Sequence, residues 1–183
     1  MPAAAPKLFI LSFPDFSKSD LVRLSDLRSQ HNSHEASLLG PHVTLAYELP
    51  AYLENRLSEA ARSCAARFEP FTVLLNEIVH EAGGPIDPFH YVFLVPDKGT
   101  RRLSNLHSAL YDELPQARSF LKKPFDPHVT LGKFTNAGRC QEVVEELKRE
   151  AWAIEARIAT LNLLAWYGDR DEVILEVPLS GTG

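Results

Sequence analysis

The chain reads as an α+β protein of two related lobes, a pseudo-two-fold duplication in which antiparallel sheets line a central cleft and helices pack outside. Three observations predict it. Strand-like and helix-like hydrophobic patterns alternate along the chain, and the same order of patterns occurs twice. The pentapeptide Pro-His-Val-Thr-Leu stands once in each half, at Pro41–Leu45 and Pro127–Leu131. A repeat is one supersecondary unit, so duplication restricts the fold strongly. Sheets with helices segregated to one side are among the few layer arrangements that bury both kinds of element.

The elements follow in order. Lys7–Phe13 (KLFILSF) is a short apolar run stopped by Pro14, as expected of a buried strand. Ser19–His31 carries Leu21, Leu24 and Leu27 at helical spacing, with Ser17 or Ser19 as N-cap. A turn at Gly40 leads into the first motif strand, His42–Tyr47. The alanine-rich, amphipathic stretch Tyr52–Phe68 predicts a helix, and Phe71–Val79 a strand. Gly83-Gly84-Pro85 and Pro88 then break the pattern.

The order restarts with strand His90–Val95 and helix Gly99–Tyr111, which has Leu103, Leu106 and Leu110 on one face. The second motif strand, His128–Phe134, is followed by a charged amphipathic helix, Arg139–Glu150, and strand Ile158–Tyr167. Val173–Leu179 closes the chain as a hairpin partner across Gly168-Asp169. Spacing repeats too: 32 positions separate Ile10 from His42, and 35 separate Phe93 from His128. One domain over residues 1–183 is expected, made of lobes at roughly 7–82 and 88–179 with one motif each and with strands free to exchange between them.

A length of 183 residues suffices for one sizeable domain. Hydrophobic content of 45% and charged content of 23% are those of an ordinary globular protein. There is no apolar run of membrane-spanning length and no charged-then-apolar leader; Met1–Pro6 reads as a short lead-in. Cys64 and Cys140 fall in expected helices without ligand spacing, as isolated thiols do. A cytoplasmic monomer with no membrane association is expected. The net charge of −5 argues against a grip on long nucleic acid, whose affinity comes from basic stripes that displace counterions. A small anionic substrate, or the end of an RNA, suits it better.

Chemistry concentrates in the two motifs. Residues i and i+2 of a strand share a face, so His42 with Thr44, and His128 with Thr130, each pair an acid–base group with a hydroxyl. Val43, Leu45, Val129 and Leu131 point the other way, toward a core. The same parity continues each groove face to Ala46 and Gly132, where small side chains leave room for a ligand. A lone strand histidine is as a rule a satisfied structural residue; recurrence of the hydroxyl at the same offset weighs against that here. A metal site needs three or four ligands, and His31, His34, His80, His90 and His107 all lie outside the motifs. No G-x-S-x-G elbow occurs, and Gly83-Gly84 is no phosphate loop. Neither metal nor cofactor is expected.

On these motifs and the duplicated order, the chain resembles the two-histidine (2H) phosphoesterases, which include 2′-5′ RNA ligases and 2′,3′-cyclic nucleotide phosphodiesterases. The family pattern is two H-x-T/S-x motifs in a bilobal fold, here His42-Val43-Thr44-Leu45 and His128-Val129-Thr130-Leu131. The resemblance covers nearly the whole chain. It implies metal-independent chemistry on 2′,3′-cyclic phosphates or 2′-5′ linkages, with His128 as base and His42 as acid in hydrolysis. Histidine suits both tasks because its pKa lies near neutrality, and the threonines would hold the phosphoryl oxygens.

The resemblance also implies an aromatic or basic residue five positions after each histidine, Tyr47 and Lys133, although strand parity turns an odd offset to the opposite face. Phe13, Trp166 and Tyr167 are further candidates to stack on a base, with core packing as the alternative. The expected function is hydrolysis of 2′,3′-cyclic phosphates on nucleotides or RNA ends. Alternatives are 2′-5′ RNA ligation, cleavage of 2′-5′ oligonucleotides and, from another class, a non-catalytic module binding nucleotides or RNA ends. Intact histidines and threonines in both motifs speak against the last.

Overall fold

A computed structural model describes residues 5–85 and 87–181 of the chain. Eight strands form two four-stranded sheets, antiparallel throughout. In the first half, β1 (Lys7–Ser12), α1 (Lys18–His31), α2 (Ser33–Leu38), β2 (Val43–Pro50), α3 (Glu54–Arg67) and β3 (Phe71–Glu81) follow one another. The second half runs β4 (His90–Lys98), α4 (Thr100–Glu113), β5 (Val129–Phe134), α5 (Ala137–Leu147), β6 (Ile154–Ile158), β7 (Thr160–Trp166) and β8 (Asp171–Pro178).

Sheet order mixes the halves. One sheet runs β2-β1-β7-β8 and the other β5-β4-β3-β6. In both, a motif strand forms the edge, the opening strand of its own half lies beside it, and a strand from the other half comes third. The repeated sequence order therefore becomes a repeated spatial order, with β3 and β7 exchanged.

Helices cover the outer faces. α3 buries Leu57, Ala60, Ala61, Cys64 and Ala65 against the first sheet, the stripe expected of a core-facing helix. α5 buries Cys140, Val143, Val144 and Leu147 behind the second. Each large apolar side chain so buried contributes about 1.5–3 kcal/mol. Both cysteines are buried and free. Among the described residues, no helix is long and apolar enough to cross a membrane.

Several sequence expectations are corrected. α1 starts where expected, with the Ser17 hydroxyl accepting from the Asp20 amide at 3.1 Å, but its buried face is Leu24 and Arg28. Leu21 is 44% exposed. The expected strand Ile158–Tyr167 is β7 from Thr160 on; Ile158 belongs to β6, an unexpected strand over Ile154–Ile158, and because β6 pairs with β3 and β7 with β1, the chain changes sheets at Ala159. The break carries no glycine or proline to announce it. α5 ends at Leu147, not Glu150. α2 and a 3₁₀ turn over Pro115–Phe120 are short helices without an apolar run. β8 pairs with β7 as the anticipated hairpin, turning at Gly168 with φ 96°. Of the lead-in, Met1–Ala4 lie outside the described residues.

Candidate active site

Both motif strands are interrupted at the same place. On β2 the register passes from Leu11↔Thr44 to Ile10↔Ala46, leaving Leu45 without a partner of its own. On β5 it passes from Phe93↔Thr130 to Val92↔Gly132, skipping Leu131. An extra residue in one strand of an antiparallel pair is a β-bulge, and it reverses the alternation beyond it. His42, Thr44 and Tyr47 therefore share the groove face, as do His128, Thr130 and Lys133. An odd offset from each histidine thus reaches the groove, contrary to what strict strand parity predicts for Tyr47 and Lys133.

The same bulges overturn the expectation for Ala46 and Gly132. Ala46 is 3% exposed, within the core beside Leu45. A Cβ at Gly132 would stand 2.6 Å from the Phe134 ring and 3.1 Å from His31 Cβ. These positions are small because of packing behind the strand, not to leave space in the groove.

The imidazoles are held alike. His42 Nδ1 lies 2.8 Å from the Gly40 carbonyl and His128 Nδ1 lies 2.7 Å from the Asp126 carbonyl. A carbonyl only accepts, so in each neutral ring Nδ1 carries the hydrogen and Nε2 keeps its lone pair free. Burial pushes His42 down to about 4; the Arg28 charge adds to this, the Gly40 carbonyl and Glu35 oppose it, and His128 lowers it further. His128 is lowered by burial first, then by Lys123, against the Asp126 carbonyl and the Asp126 and Glu81 carboxylates. The influence of His128 on His42 places two histidines from different sheets within electrostatic reach. Phe93 stacks face to face on His128, with centroids 3.6 Å apart, and Phe13 stands edge-on to His42 at 6.0 Å.

Helices tie the motifs together from outside. Arg28 of α1 is 1% exposed and donates to the Thr130 carbonyl at 2.7 Å and to the Leu39 carbonyl at 2.9 Å. One guanidinium thus links the second motif strand to the segment entering the first. His107 of α4 stands 2.7 Å from the Leu45 carbonyl, at the bulge of β2. Neither residue was anticipated. Arg28 does follow Leu24 by four positions and so shares its helix face, the one available signal.

Around this centre, Lys133 pairs with Glu35 at 3.0 Å and lies over the Phe89 ring at 4.5 Å. Burial raises the Glu35 carboxyl, but hydrogen bonds from Asn32 and Lys133 with the charges of Lys133 and Arg28 outweigh it and hold the group below its ordinary value. Tyr47 is 54% exposed and meets Phe9 edge to face at 5.3 Å. Trp166 stands at the far end of β7, opposite Lys7, while Asn162 occupies the row of Leu11 and Thr44. Tyr167 packs on the core, with the Arg170 guanidinium 4.0 Å over its ring. Phe13, Tyr47 and Lys133 are thus brought toward the imidazoles; Trp166 and Tyr167 are not. Among the described residues, no group of three or more His, Cys, Asp or Glu side chains is placed to hold a metal ion.

Comparison with known proteins bears on the family and the fold. The model of the 2′-5′ RNA ligase superfamily matches residues 15–170. The fold is similar to that of E. coli LigT solved with 3′-AMP, at 20% identity and TM-score 0.64, covering 97% of this chain and 99% of that one. TT0787 of Thermus thermophilus gives 16% identity and TM-score 0.63 over 97% and 100% of the two chains. Usb1 of Kluyveromyces marxianus gives 14% and 0.60 over 97% and 99%. A search of curated protein sequences gives no match. With two H-x-T motifs on the edges of paired sheets and a family match over most of its length, the chain belongs to the 2′-5′ RNA ligase superfamily of two-histidine phosphoesterases.

Proposed function

We propose that the protein is a metal-independent phosphodiesterase that hydrolyses 2′,3′-cyclic phosphates of nucleotides or RNA ends. The observation that carries this reading is the pair of imidazoles on different sheets, each anchored through Nδ1 to the carbonyl two residues before it, with Nε2 free. A cyclic phosphate between them has a proton acceptor on one side and a donor on the other.

Following the family resemblance, His128 Nε2 takes a proton from water as the oxygen attacks phosphorus. The bond from phosphorus to one ribose oxygen breaks, and that oxygen takes the proton of His42 Nε2. Thr44 and Thr130 hold the non-bridging oxygens and stabilise their charge. Since His42 is pushed down to about 4, it is neutral at pH 7 in the free site. The anionic phosphate seated at its Nε2 raises its proton affinity, so the acid is charged by substrate binding. The profile of kcat therefore extends to higher pH than that of kcat/KM, which reports the free enzyme.

Binding of a nucleotide is supported by the solved complexes of E. coli LigT with 3′-AMP, ATP and NADP+. The family match supports a second reading, formation or cleavage of 2′-5′ linkages, in which a ribose hydroxyl replaces water and the two imidazoles exchange roles with direction. The deciding experiment is turnover of a panel of 2′,3′-cyclic nucleotides and 2′-5′-linked oligomers, with the product isomer identified. Cyclic phosphate opening that persists in EDTA is expected. Turnover that requires added zinc or manganese rejects the metal-free mechanism, and nucleotide binding without product would make the protein a binding module.

A further inference from the structure

We infer that His107 is a positioning residue, the second-half counterpart of Arg28, which holds both half-sites in place from outside the groove. This role rests on the activity proposed above and adds a residue to its machinery. In the duplicated order α1 and α4 are equivalent helices. Each packs against the motif strand of the other half, α1 on β5 and α4 on β2. Each also holds its own half at the residue three positions before the histidine, Leu39 before His42 and Phe125 before His128. Arg28 joins the Thr130 carbonyl to that of Leu39, next to the Gly40 anchor of His42. His107 joins the Leu45 carbonyl, 2.7 Å from Nδ1, to Phe125, on which its ring lies flat with centroids 4.1 Å apart. Phe125 is next to the Asp126 anchor of His128.

Each tie acts on a part of the site. Leu45 is the unpaired residue of the β2 bulge, and a donor on its carbonyl fixes the kink that sets Thr44 and Tyr47 on one face. Tyr111, one turn along α4, supports the same kink. It is buried, its ring stands 4.8 Å from that of His107, and the Tyr47 backbone opposes the rise that burial gives its phenol. Asp126 stands before Pro127, a place that favours extended backbone, so a shift of Phe125 passes to the Asp126 carbonyl and thus to His128. Burial lowers the His107 pKa; the Leu45 carbonyl opposes this and Arg118 adds to it. The ring is therefore uncharged at neutral pH, with Nδ1 carrying the hydrogen that the carbonyl requires. Arg28 brings a charge that lowers His42, whereas His107 ties its two segments without one.

Three variants of the full chain separate the two ties. His107→Phe keeps a ring on Phe125 and removes the donor. Its kcat on a 2′,3′-cyclic nucleotide should fall about tenfold, short of the roughly 10²-fold that a misplacement of about 1 Å costs. His107→Asn keeps an amide donor near the place of Nδ1 and removes the ring, while Phe125→Leu removes the ring's partner. In both, the titration midpoint of His128, followed by NMR in the free protein, should fall, because the Asp126 carbonyl raises it. An unchanged kcat in His107→Phe, or an unmoved His128 midpoint in the other two, overturns the role; lower thermal stability with both readouts unchanged is what a merely structural histidine gives. If no substrate turns over even in the wild type, the proposed activity fails separately. The amide signal of Ala46, which shares a peptide group with the Leu45 carbonyl, then decides the first tie. It should move in His107→Phe and stay near its wild-type position in His107→Asn; an unmoved signal in His107→Phe rejects the tie.

Discussion

The two Pro-His-Val-Thr-Leu segments share a sequence, a bulge and an Nδ1 anchor, yet their imidazoles sit in different fields. His42 has the buried Arg28 guanidinium nearby and the edge of Phe13 beside it. His128 lies flat on Phe93, with Lys123 countered by Asp126 and Glu81. The pentapeptide secures the shape of each half-site, whereas residues from α1, β4 and the loop before β5 set how readily each ring holds a proton. A symmetric motif can thus serve a reaction that needs one acid and one base.

The largest test removes each ring in turn. His42→Ala or His128→Ala should lower turnover about 10²–10⁴-fold if each moves a proton in the transition state. Losses below tenfold at both would end the acid–base mechanism; a large loss at only one would show that the half-sites are not partners.

Arg28→Met attacks the asymmetry itself. Two partly buried carbonyls lose their donor, at a cost of about 1–3 kcal/mol each at most, seen in thermal or denaturant melts. Without the cation His42 holds its proton to higher pH. Both histidines are lowered from 6.5, so the wild-type kcat/KM maximum should lie on the acid side of that value and fall as pH rises and the protonated partner disappears. The variant's maximum should move upward. Arg28→Lys keeps the charge and should leave the profile near the wild-type position; a profile unmoved in Arg28→Met would reduce Arg28 to a structural tie.

The smallest test concerns the position after each bulge. Gly132→Ala should destabilise by about 1–3 kcal/mol through overpacking against Phe134, with little change in KM for those molecules that fold. An increase in KM at unchanged stability would mean instead that the residue borders the substrate.

The motifs were legible because their chemistry lies within five adjacent letters, and the duplicated order because hydrophobic period distinguishes strand from helix. Local pattern could not reveal the exchange of β3 and β7, since partner choice depends on strands far along the chain. The bulges were written as two consecutive apolar residues, Leu45-Ala46 and Leu131-Gly132, but strict alternation read the second of each pair onto the wrong face. Beyond the helix face it shares with Leu24, nothing local marks Arg28, because its acceptors, the carbonyls of Leu39 and Thr130, are set by tertiary structure. Trp166 looked like a stacking residue because it ends a strand, yet β7 runs so that this end is remote from Thr44.

Both motif strands lie at sheet edges, where open backbone groups offer a template for joining copies of the chain edge to edge. The bulges of β2 and β5 spoil the even spacing such joining requires, and His107 and Arg28 occupy the carbonyls of Leu45 and Thr130. The chain can therefore carry its histidine motifs on strands at its margins and still offer a poor template for edge-to-edge joining. That protection depends on the same kinks that turn Tyr47 and Lys133 toward the groove.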